Sequence, residues 1–211
     1  MKNLRRAHDS QRRESYADRG LGGFNDGYED AELKRLTQDL LKDPGKVGIN
    51  LRTRLDILSG HFYVTRGETR RNCELPDLSA IELPDEGMTE CICALLAMSR
   101  GKMNKYGRMQ YMGAVRNKDV DICPVGALAL YFFYRWHISG EPFPTFRRRS
   151  DWYRIKVLVG SNREKPMAYP TQLECTNAAF EKSKITSTSK TMHQGKRVQG
   201  RQSCMERPRH R

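Results

Sequence analysis

The sequence predicts a mainly α-helical domain with a small β-hairpin or sheet set into it. Three observations carry this. Apolar residues recur at helical spacing in several stretches between Glu29 and Lys182. A basic segment rich in turn residues separates two apolar runs of strand length near residue 100. Both ends of the chain are too polar to bury a face.

The elements follow in order. Residues 1–27 carry Arg5-Arg6, Arg12-Arg13 and Gly20-Leu21-Gly22-Gly23, and read as a basic arm. Residues 28–185 form the folded domain. Leu33, Leu36, Leu40 and Leu41 mark one face of a helix from Glu29 to Leu41, with acids in its first turn and Pro44-Gly45 after it. Leu51, Leu55, Leu58 and Phe62 repeat the rhythm in a second helix, from about Gly48 to Thr65. Residues 66–75 read as a short charged helix, after which Pro76-Asp77-Leu78 opens an extended segment. Cys91 to Met98 is expected to be a strand and Met109 to Met112 its partner, joined by the glycines and asparagine of residues 100–108. Pro124 starts a helix to His137 that is apolar nearly all round and is expected to be the core. Ser150-Asp151 should cap a helix running to Val159 with Trp152, Ile155 and Leu158 inward. A last helix spans Tyr169 to about Lys182, and residues 186–211 form a basic tail expected to be disordered.

Charge points to the partner. The 211 residues hold 38 Lys and Arg against 25 Asp and Glu, a formal net charge of +13 that favours a polyanion such as nucleic acid. The longest apolar run, Val125 to Phe133, is far short of the roughly 20 residues a membrane span needs. Nor does the N-terminus carry the apolar core of a signal peptide. Six cysteines lack metal-ligand spacing and read as reduced thiols, and no cofactor or metal is expected. Phosphate-loop, serine-elbow and zinc-protease motifs are absent from the sequence.

Two clusters stand out as binding sites. From Arg100 to Lys118 there are six basic residues and no acid. A hairpin tip bearing Lys102, Lys105 and Arg108 would fit beside a phosphate backbone, although such a run is also an ordinary solvated face. In Arg66-Gly67-Glu68-Thr69-Arg70-Arg71, the arginines Arg66, Arg70 and Arg71 could fork onto phosphates or bridge to acids within the chain. Arg147, Arg148 and Arg149 add a basic run, and His193, Lys196 and Arg197 a lesser one, in which His193 would commonly be just solvated. His61 and His137 show no partner in the sequence and read as core-edge residues.

The order of these features resembles the tyrosine recombinases and phage integrases. More closely, Gly60-His61-Phe62 leading to the arginine cluster, then Gly101-Lys102-Met103-Asn104-Lys105, Cys123-Pro124-Val125-Gly126-Ala127-Leu128 and Tyr134-Arg135-Trp136-His137 are similar to the recombinase-like DNA-binding domain of the large centromere-binding kinetochore subunit of budding yeasts. The resemblance covers roughly residues 15–200. It implies a tyrosine-recombinase-like fold, Arg66 at the first phosphate-binding arginine, and Lys105 or Lys102 at the hairpin lysine. The next box of recombinases, His-x-x-Arg, is met by His193-Gln194-Gly195-Lys196 with Arg197 one place late. No tyrosine follows Tyr169 to serve as nucleophile. The expectation is therefore a nuclear, non-catalytic protein of double-stranded DNA, with self-association or kinetochore and chromatin proteins as further partners. A degenerate recombinase supplied with a tyrosine by a second chain, or an interaction module, are the alternatives. The tail lacks the apolar helices that would complete such a domain, so a shortened and marginally stable version is expected.

Overall fold

The computed structural model describes residues 27–84, 91–98 and 107–185. Helix α1 (Asp30–Leu41) begins at a capping box, in which the Glu29 amide donates to Glu32 at 2.9 Å, and buries Leu33, Leu36, Thr37 and Leu40. Helix α2 (Val47–Phe62) is the centre of the fold. It buries nine residues on nearly every side, including Leu55, Leu58, Arg54, Asp56 and His61, because α1 and two later helices pack around it.

Short helix α3 (Gly67–Asn72) leads into an antiparallel sheet of β1 (Leu78–Leu83), β2 (Cys91–Met98) and β3 (Gln110–Val115), in that spatial order. Leu78 pairs with Leu96 and Ala94 with Ala114, so one parity of the pleat turns Ala94, Leu96 and Ala114 into the core. The expected β2–β3 pairing is present up to Met98 opposite Gln110, while the tip bearing Lys102 and Lys105 lies outside the described residues.

Helix α4 (Pro124–Phe133) has proline in its first turn, as the sequence suggests, and Cys123 Sγ accepts the Gly126 amide. It is not the core. Only Pro124, Ala127 and Tyr131 are buried, while Leu130 and Phe133 are exposed, since α4 meets α2 along one side. A π-helical turn, Tyr134–Ile138, follows it and closes with the Ser139 amide on the Tyr134 carbonyl. Arg135 in that turn is 3% exposed, clamped by Glu141 at 2.6 and 2.7 Å and by the Lys156 and Val157 carbonyls.

The helix expected over residues 150–159 shrinks to α5 (Arg149–Trp152). Neither Ser150 nor Asp151 caps it: the N-cap is Arg148, and Asp151 accepts from Thr145 instead. Ile155, Lys156, Val157 and Leu158 are all buried because the chain here runs beside residues 73–75, exchanging backbone hydrogen bonds with Cys73 and Leu75. Lys156 ends on Glu74 at 2.6 Å. Helix α6 (Tyr169–Lys182) closes the fold against α1 and α2, burying Gln172, Thr176, Ala179 and Phe180. Among the described residues no helix is long and apolar enough to cross a membrane.

Candidate nucleic-acid interface

The arginine cluster of α3 is built around a buried carboxylate that its own sequence neighbourhood does not contain. Asp56 of α2 is 2% exposed and accepts from Arg70 Nε at 2.6 Å and from Gln172 Nε2 at 2.9 Å. Arg70 Nη1 donates to the Thr65 carbonyl at 2.7 Å. The guanidinium lies against Gly60, where a methyl group would sit 2.8 Å from Nη1. Arg70, at 5% exposed, is thus an internal strut and not a surface contact, which corrects its reading as a phosphate ligand. Two charges taken out of water need such full pairing to be tolerated.

Gln172 relays this arrangement outward. Its Nε2 is held by Asp56, which leaves Oε1 to accept from Arg71 Nη1 at 2.5 Å. The Arg71 guanidinium also lies over the Tyr169 ring, 5.2 Å from its centroid. It is half-buried, with one edge on Gln172 and one face on Tyr169. Arg66 is the N-cap of α3, also half-buried, and its side chain makes no capping hydrogen bond. Two guanidiniums therefore flank the start and end of one short helix, the second aimed by a chain of contacts through α2 and α6.

The remaining sequence-predicted residues scatter. Arg108 is exposed at the start of the segment leading to β3. Arg147, Arg148 and Arg149 are exposed before and within α5, where Arg149 lies over Tyr153 at 5.7 Å. Lys102, Lys105, His193, Lys196 and Arg197 lie outside the described residues. Sequence reading missed Asp56, Tyr169 and Gln172, which occupy helix positions with no motif of their own. It also missed the partner of His61: the ring is buried and meets the Tyr28 hydroxyl at 3.0 Å, and burial depresses its pKa below the usual histidine value. His137 is exposed and packs against Phe133.

Residues 6–207 match the family described as centromere DNA-binding protein complex CBF3 subunit, domain 2. The chain belongs to that family. No curated protein matches this chain in sequence. Among solved structures it is similar to XerH site-specific recombinase bound to its difH substrate in a pre-cleavage complex, with a TM-score of 0.57 and 12% identity over 86% of this chain and 43% of that one. It is also similar to Ndc10, described as a platform for inner kinetochore assembly in budding yeast, with a TM-score of 0.52 and 17% identity over 78% and 42% of the two chains. A Flpe mutant in a DNA Holliday junction complex gives a TM-score of 0.51 and 11% identity over 95% and 44%. The chain thus has a tyrosine-recombinase-like fold, as its order of elements suggested, and spans under half the length of each of these three structures.

Proposed function

We propose that this domain holds double-stranded DNA by its phosphate backbone, in the nucleus, without cutting it. The observation that carries the reading is the Asp56–Gln172–Arg71 relay: it holds a guanidinium in one orientation at the protein surface, as bidentate phosphate recognition requires. Arg66 at the other end of α3, Arg108, and the hairpin lysines Lys102 and Lys105 extend the footprint. His193, Lys196 and Arg197 are secondary contacts of the same kind. Membership of a centromere DNA-binding family and the DNA-bound recombinases among the similar structures support it. The absence of cleavage is supported by the family, whose description is of DNA binding.

The test is a fluorescence-anisotropy titration of a labelled duplex at two salt concentrations. Arg71→Ala should weaken binding about tenfold, the value of one charged hydrogen-bonded contact, and should lower the slope of log affinity against log salt by about 0.9. Lys102→Ala with Lys105→Ala should lower it further. Binding indifferent to salt and to these substitutions would refute the proposal. Recovery of a covalent protein–DNA adduct from a nicked duplex would refute the absence of cleavage.

A further inference from the structure

Outside the arginine box, aromatic rings form a continuous ridge along one side of the domain. Trp136 of the π-helical turn meets Phe143 at 5.0 Å, Phe143 meets Phe146 at 5.7 Å, Phe146 meets Trp152 at 5.1 Å, and Trp152 meets Tyr153 at 4.8 Å. Trp136 and Trp152 are half-buried against the core and anchor the row, whereas Phe143 is 58% exposed, Phe146 46% and Tyr153 38%. Burying such rings is strongly favourable, so three exposed rings braced on two anchored ones mark a contact surface.

Two further features bear on what that contact is. Phe146 has φ +53°, a left-handed conformation that costs a bulky residue free energy and that glycine would adopt freely. The chain accepts that strain where it places an aromatic side chain in water, between Phe143 and Trp152. Charge around the ridge is predominantly positive. Arg147, Arg148, Arg149 and Arg154 are exposed beside it, Glu141 is paired with Arg135, and Asp151, held by the Thr145 and Ser150 hydroxyls, keeps its negative charge.

We propose that this ridge is a docking site for an acidic peptide segment of a partner protein, one that inserts apolar side chains between the rings while its carboxylates meet the arginines. The ring geometry selects a peptide over unstacked bases. Successive planes meet at 74°, 68°, 58° and 85°, so each ring edge covers part of its neighbour's face. Such a row offers crevices for branched side chains and few of the open flat faces on which bases stack. The excess of arginine with aromatic anchors is the composition of an interface hot spot, and it is complementary to carboxylates. The site shares no residue with Arg66, Arg71 or the lysines Lys102 and Lys105.

The test uses the full chain and three labelled probes: a synthetic peptide with Phe and Leu at helical spacing among Asp and Glu, the same peptide with Lys replacing every acid, and single-stranded oligothymidine. The acidic peptide should bind and the lysine peptide should not. Phe146→Gly suits the left-handed backbone, so it should leave the thermal melt unchanged or raised while weakening the acidic peptide about tenfold. Arg148→Glu should weaken it in a salt-dependent way. Duplex DNA affinity should stay within about twofold in Phe146→Gly, so the ridge and the DNA-holding face fail or survive separately. An acidic peptide that does not bind the wild-type chain, or binds Phe146→Gly as well, overturns the proposal. Oligothymidine binding that depends on Phe146 when peptide binding does not would assign the ridge to bases instead.

Discussion

Replacing Asp56 by asparagine tests the internal scaffold of the arginine box in one step. The carboxylate is 2% exposed and Arg70 is 5% exposed, so neither charge can turn to water when the other is lost. Removing one partner of a buried pair costs about 3–5 kcal/mol. Asparagine keeps a carbonyl that can still accept from Arg70 Nε, which places the expected loss near the lower end, about 3 kcal/mol. For a domain of this size each kcal/mol lowers the melting temperature by about 2–4 °C, so the melt should fall by about 6–12 °C. Urea titration is the cleaner assay: the midpoint should drop with the slope unchanged, as expected for lost stability in an unaltered fold. A second readout follows from donor and acceptor roles. Asp56 fixes the Gln172 amide with Nε2 inward and Oε1 toward Arg71. The asparagine side chain would present an amide of its own, permitting Gln172 to flip and point N–H groups at Arg71. Duplex binding should therefore weaken along with stability, and Asp56→Asn combined with Arg70→Met should regain stability without regaining DNA affinity. A loss below about 1 kcal/mol, or full DNA affinity in the single variant, would refute the relay.

Other expectations are as direct. Burial holds the His61 pKa below its usual 6.5, so the unfolded chain binds a proton that the folded one resists. Stability from this group is complete above about pH 6.5 and declines as pH falls from there toward the depressed folded value; in His61→Phe, urea midpoints over that window should lose this part of their pH dependence. Gly60→Ala sets a methyl 2.8 Å from Arg70 Nη1, whose position is fixed by Thr65 and Asp56, and should cost about 1–3 kcal/mol by chemical denaturation. Burial pushes the Cys73 thiol well above the usual cysteine range, so it should resist alkylation in the native state and react on unfolding, while half-buried Cys91 and Cys175 should be labelled earlier in a mass-resolved time course.

Helical spacing was a good guide wherever one face of a helix is buried: α1, with Leu33, Leu36 and Leu40 inward, is the clearest case. It failed where burial has no period. Trp152, Ile155 and Leu158 fit a helix, yet Ile155 through Leu158 are all buried in a non-helical stretch stitched to Cys73 and Leu75, partners some eighty residues away. Apolarity also misled in α4, where Leu130 and Phe133 face outward, while the central helix, α2, carries Arg54, Asp56 and His61 among its buried residues. The arginine box was visible as residue types only. Which arginine turns inward is decided by Asp56 and Gln172, which lie 14 and 102 residues from Arg70 in the chain and carry no local signature.

The sheet is a simple meander, and its strands find partners close by in sequence. The Asp56–Gln172 contact, by contrast, joins positions 116 residues apart and waits on α6, the last of the described elements in chain order. Loop closure of that length is among the slower and costlier steps of folding. Arg70 is held by partners close in sequence, Asp56 and Thr65, whereas the alignment of Arg71 depends on Gln172 and Tyr169 of α6. Under the function proposed above, Arg71 would meet a phosphate in its aligned orientation only once α6 has docked.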